Sequence, residues 1–213
     1  MSGVLGSSPA VWYLMRASGV VTLLLLSGVF ALGVATTNRQ QLGRLPRFVT
    51  AALHRNISLL AVVFLGIHVA TALVDPYAQV SATSVVVPFV GAGKPLWIGL
   101  GAVSLDLVAA LTVTSLLRRH LGQRAWKGIH WLAYLSWPVA LAHGLGVGSD
   151  TNALWLRALT AGCVVLVGSA VVSRLRSVGG PAKQLEPRGD PVLVHAPGAT
   201  RRTRRLAGER AAA

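Results

Sequence analysis

The sequence has little of what a soluble protein puts on its surface. Only 12% of its 213 residues are charged, about half the roughly 25% typical of soluble domains. Six residues are acidic, while 53% of the chain is hydrophobic. These figures exclude a conventional water-facing surface and leave lipid as the solvent. There is one cysteine, Cys163, which excludes an intrachain disulfide and a thiolate metal cluster. Its setting, AGCVVLVG, suits a buried packing residue. The first fifteen residues hold no Lys or Arg, and the apolar run that follows is too long for a secretory signal.

What the chain does have is five apolar stretches near the roughly 20 residues needed to cross a bilayer. They cover residues 14–35, 49–74, 96–117, 128–147 and 153–173. Beyond them the text turns to Pro, Gly, Ala and Arg, GGPAKQLEPRGDPVLVHAPGATRRTRRLAGERAAA, a composition that does not bury a core. The expected fold is therefore an all-α integral membrane bundle of about five spans over 12–176, followed by a disordered basic tail over 177–213.

The net charge of +14 raises the question of nucleic acid, but its placement answers for the bilayer. Arg39, Arg44, Arg47 and Arg55 flank the second span, and Arg118, Arg119, Arg124 and Lys127 precede the fourth. Nine more basic residues follow the fifth. The other side has only Arg16, Lys94 and Arg157. This is the positive-inside pattern. It predicts a multi-pass protein of a bacterial-type plasma membrane, with the N-terminus outside and the C-terminus cytoplasmic, and no nucleic-acid partner.

Four of the six histidines lie in two spans. LHRNISLLAVVFLGIHVATALVD carries His54 and His68, and IHWLAYLSWPVALAHGLG carries His130 and His143. The two spans run in the same direction, so His54 matches His130 in depth and His68 matches His143. Fourteen residues separate the levels by about 21 Å and return to nearly the same helix face. Thirteen residues fall more than a third of a turn short, and Pro138 between them is expected to absorb the mismatch by kinking the helix. Two facing imidazoles can hold the metal of a flat macrocycle from both sides, which is bis-histidine haem ligation. Gly66, Ala133, Ala140, Ala142 and Gly144 offer the small side chains a flat ring needs nearby. The competing interpretation is a small transporter or structural membrane subunit in which the histidines and Asp106 relay protons or metal ions.

The pattern H-x13-H on one helix and H-x12-H on another resembles the ferric reductase-like transmembrane domain family. That family includes NADPH oxidases, ferric reductases and the haem-binding membrane subunit of methionine sulfoxide reductase systems. The flanking words WYLMRASG, TSLLRRHLGQRAWKGIHWLAY and HGLGVGSDT agree. The resemblance implies two haems b, the inner held by His54 and His130 and the outer by His68 and His143. It implies an oxidoreductase component that moves electrons from a cytoplasmic-side donor to an acceptor outside. Only 39 residues follow Arg174 and none forms a G-x-G-x-x-G, so the chain is expected to lack its own FAD- and NAD(P)H-binding domain. The donor would be a separate flavoprotein or quinol, and the acceptor ferric iron, oxygen or a partner reductase.

Other residues have weaker expectations. Arg16 is placed to meet propionates of the outer group, and Arg55 those of the inner one. Asp106, the one acid deep in a span, is expected to hydrogen-bond Ser104 or Thr112. Trp12, Trp97, Trp126 and Trp155 fall near the interfaces, and Trp131 and Trp137 between the histidine levels. His120 and His195 are expected to bind no iron.

Overall fold

The computed structural model describes residues 9–37, 46–91, 93–148 and 151–179. Of the expected tail, residues 177–179 continue α7, and the rest, with His195, lies outside the described residues, as do Arg39 and Arg44. Among the described residues all regular structure is helical. The helices are α1 (Pro9–Thr37), α2 (Arg47–Val74), α3 (Ala82–Val86), α4 (Pro95–Leu116), α5 (Gln123–His130), α6 (Ala133–Val147) and α7 (Leu154–Gly179). A single 3-10 turn, Pro76–Ala78, follows α2.

Four of these, α1, α2, α4 and α7, are long and apolar enough to cross a membrane. The membrane bundle expected from the sequence is therefore present, and its helices show why lipid is the solvent. Large apolar side chains face outward along the spans, with Leu154, Leu116 and Val165 each at least 70% exposed. Backbone groups are satisfied within each helix, as hydrocarbon demands. Hydroxyls follow the same rule: Ser18 donates to Leu14 O at 2.7 Å, and Thr22 to Ser18 O at 2.7 Å.

The fourth expected span is not one helix. It divides into α5 and α6, with a turn at Trp131 and Leu132. Here the bonds tighten to the i−3 pattern: Leu132 N to Ile129 O at 2.9 Å, Tyr134 N to Trp131 O at 3.0 Å and Leu135 N to Leu132 O at 3.0 Å. A 3-10 turn advances about 120° per residue against 100° for an α-helix. Over four residues it recovers roughly half of the angular shortfall between His130 and His143. The break thus does part of the work expected of Pro138, which lies inside α6 without ending it.

The packing forms two tight antiparallel pairs, α1 with α2 and α4 with α6, with α7 against α1. The pairs meet through α1 and α6. Trp137 Nε1 donates to Ser27 Oγ at 2.9 Å in a buried bond, and Phe30 meets Tyr134 edge-on at 5.2 Å. A core of Trp137, Cys163 and Val167, flanked by Leu23, Leu26 and Phe30, ties in α7. Cys163 is a packing residue here, as its sequence setting suggests. Trp137 is core, whereas Trp131 is 62% exposed at the helix break.

Candidate functional site

α2 faces α5 and α6 across the histidines rather than through packed backbone. The ring centroids of His54 and His130 are 6.4 Å apart, and those of His68 and His143 are 6.3 Å apart. The two pairs match in separation although they stand on different turns of their helices. The planes within each pair are steeply inclined, at 69° and 76°.

Three of the four rings are fixed through Nδ1. His54 Nδ1 donates to Val29 O at 3.1 Å, His68 Nδ1 to Met15 O at 2.8 Å and His143 Nδ1 to Trp97 O at 2.8 Å. A carbonyl only accepts, so each Nδ1 carries the proton and each Nε2 keeps a lone pair for a ligand. His130 differs. Its Nδ1 is buried without a partner, and its ring stacks on Trp126 at 4.9 Å and 24°. Trp126 in turn lies under the Arg118 guanidinium at 4.4 Å.

Glycines make these approaches possible. A Cβ on Gly19 would stand 3.0 Å from the His68 ring, one on Gly33 3.3 Å from His54, and one on Gly101 2.6 Å from His143. The sequence reading did not single these out. A signal was present, because Gly19 and Gly33 are fourteen residues apart, like His54 and His68 on the antiparallel neighbour. Of the small residues that were singled out, Ala140 and Gly144 line the cavity described next, and a Cβ on Gly66 would meet no neighbouring atom.

Around His68 and His143 opens a cavity of about 890 Å³, in the upper range of the roughly 300–1,000 Å³ of small-molecule and cofactor sites. Arg16, Lys94 and Arg157 all line it. They are the three cations that the charge pattern assigns to this side. No acid lines it among the described residues. Arg16 also lies over the Trp12 ring at 4.4 Å, and Lys94 Nζ donates to Gly146 O at 3.2 Å. Arg55 is exposed on α2, one residue and about 100° around the helix from His54.

Asp106 stands apart from the histidines. It is exposed on α4, about 160° around the helix from buried Ser104 and Val108. The bonds expected for it are not made: Ser104 donates to Gly101 O and Thr112 to Val108 O.

Whether a haem fits can be tested on the spacing. Two metal–imidazole bonds of about 2.0–2.1 Å, plus about 1.2 Å from each Nε2 to its ring centroid, give a separation of about 6.4–6.6 Å. The observed 6.4 and 6.3 Å match this closely. Among the described residues no three His, Cys, Asp or Glu side chains converge. Each level thus offers two imidazoles, and a metal held between them would need its further donors from a group of its own.

Fold and site together define a polytopic helical membrane protein with imidazoles paired at two depths. The family model described as "Ferric reductase like transmembrane component" matches residues 18–141, more than half of the chain. The chain belongs to that family. The matched stretch contains His54, His68 and His130 and ends two residues before His143. No curated protein and no solved structure matches the chain.

Proposed function

We propose that this ferric reductase-like membrane component is an electron-transfer cytochrome b with two bis-histidine haems, one at each histidine level. The observation that carries this is the pair of matched separations, 6.4 and 6.3 Å, each spanned by imidazoles from α2 and from the α5–α6 span. Haem supplies one-electron chemistry when bound. The protein's part is to hold and orient. His54 and His130 are the ligands of one level, and His68 and His143 those of the other. The carbonyls of Val29, Met15 and Trp97 fix three of the rings. A haem held by two imidazoles at each level would have no open site for a substrate, which suits a carrier rather than an oxygen-binding centre.

Charge supports the direction. The levels are about 21 Å apart along α2, and His54 and His130 are nearer the side rich in Arg47, Arg118, Arg119 and Arg124. That side is cytoplasmic in this reading, with the N-terminus outside and the C-terminus inside a bacterial-type plasma membrane. Electrons enter there from a separate flavoprotein or quinol and leave at the His68/His143 level to ferric iron, oxygen or a partner reductase. Arg16, Lys94 and Arg157 neutralise haem carboxylates in the cavity they line, while exposed Arg55 meets lipid headgroups or the inner carboxylates.

The test is an optical reduced-minus-oxidised spectrum with a pyridine haemochrome assay on purified full-length protein. Two b-type haems per chain are expected. A fully loaded preparation with one haem would remove one level, and a preparation that takes up none would overturn the proposal in favour of ion relay.

A further inference from the structure

We infer that the two histidine levels are built unequally, with His130 the one unanchored ligand, and that this makes the His54/His130 level the more easily reduced. The inference rests on the haem reading above and extends it to the relative potentials of the two centres.

A repeated device underlies it. The three anchored histidines donate to Met15, Val29 and Trp97, and the glycines under their rings are Gly19, Gly33 and Gly101. In every case the glycine is four residues after the carbonyl. A helical carbonyl already accepts from the N–H four residues on, and it keeps a second lone pair. The side chain at that later position leans toward the N-terminus and covers this lone pair. Glycine leaves it bare, so an imidazole from the next helix reaches it.

The fourth site departs from the device. His130 stands at the end of α5, just before the break at Trp131 and Leu132, and no described glycine lies under its ring. Its Nδ1 is the buried nitrogen left without a partner, and its ring stacks on Trp126 instead.

The consequence follows from ligand chemistry. An Nδ1–H···O=C bond raises the basicity of the ligating nitrogen and so favours the oxidised metal. The His68/His143 level has two such bonds, both 2.8 Å. The His54/His130 level has one, at 3.1 Å.

Redox titration of the full-length protein in nanodiscs, followed at the haem bands, decides the matter. The wild type should titrate in two waves. His54→Ala and His130→Ala should each abolish the more positive wave, and His68→Ala and His143→Ala the more negative one. Two haems with one shared potential would overturn the inference and leave the haem reading standing. So would loss of the more negative wave in His54→Ala or His130→Ala. A wild type without haem would overturn both.

Discussion

Replacing each anchoring glycine with alanine should strengthen its helix and weaken its ligand, in a graded order. In a helix interior, Gly→Ala is worth about 1 kcal/mol of stability. At these positions the added methyl meets an imidazole. It would stand 2.6 Å from the His143 ring at Gly101, 3.0 Å from His68 at Gly19 and 3.3 Å from His54 at Gly33. Favourable carbon contacts lie at about 3.5–4.0 Å, so the rings must retreat by roughly 1 Å, 0.5 Å and 0.2 Å. A retreat of 1 Å stretches the 2.8 Å bond of His143 past any hydrogen bond, whereas 0.2 Å leaves that of His54 weakened but made. Losing such an outer-shell partner typically costs a metal site about 10–100-fold in affinity. Gly101→Ala should therefore release haem from the His68/His143 level most readily, Gly19→Ala less so, and Gly33→Ala hardly at all. Haem retention during dilution into apomyoglobin, read beside thermal unfolding of the haem-free protein, measures both sides. Equal retention in all three variants, or greatest loss in Gly33→Ala, would refute the reasoning.

His54→Ala and His130→Ala should each lose the same single haem, and His68→Ala and His143→Ala the other, while exposed His120→Ala loses neither; haemochrome stoichiometry checks this. Pro138→Ala should retain both haems, because the break between His130 and His143 falls at Trp131 and Leu132 and α6 runs unbroken through Pro138, whereas a single alanine inserted after Leu132 should cost at least one haem in the same assay. Trp137→Phe should lower unfolding stability by about 0.5–1.5 kcal/mol through loss of the buried bond to Ser27, measured by denaturant titration in micelles.

The spans were legible because the bilayer leaves so few alternatives. A run of some twenty apolar residues must satisfy its own backbone, so α1, α2, α4 and α7 appear close to where the apolar text places them. The histidine pairing was legible for the same reason, since parallel spans fix depth by counting. The break between α5 and α6 was not. It falls at Trp131 and Leu132, without a glycine or proline to mark it, while the visible marker, Pro138, sits in an intact helix. Asp106 shows a second limit. Sequence proximity to Ser104 and Thr112 suggested partners, but a hydroxyl on a helix finds its own i−3 or i−4 carbonyl first. The short α3, capped by Ser81 and Ser84, gave no periodic signal at five residues. The anchoring glycines were written in the text, but 23 glycines hide three unless the antiparallel partner is known.

The orientation of the four imidazoles and the separation within each pair are controlled by different parts of this fold. Orientation belongs to the two packed pairs. α1 supplies the carbonyls that aim both histidines of α2, and α4 supplies the one that aims His143. Each pair is a half-site that could hold its rings without the other. Separation belongs to the seam between pairs. The bond from Trp137 to Ser27 lies on that seam, with Ser27 between Gly19 and Gly33 on α1 and Trp137 between His130 and His143. A single pin midway between the two levels constrains both gaps at once, which accounts for separations that agree within 0.1 Å. A buried polar bond in hydrocarbon is an unexpected way to join helices that could pack by apolar contact alone. Its worth lies in direction, because a hydrogen bond fixes the rotation of α6 against α1 more sharply than dispersion between Phe30, Leu141 and their neighbours can.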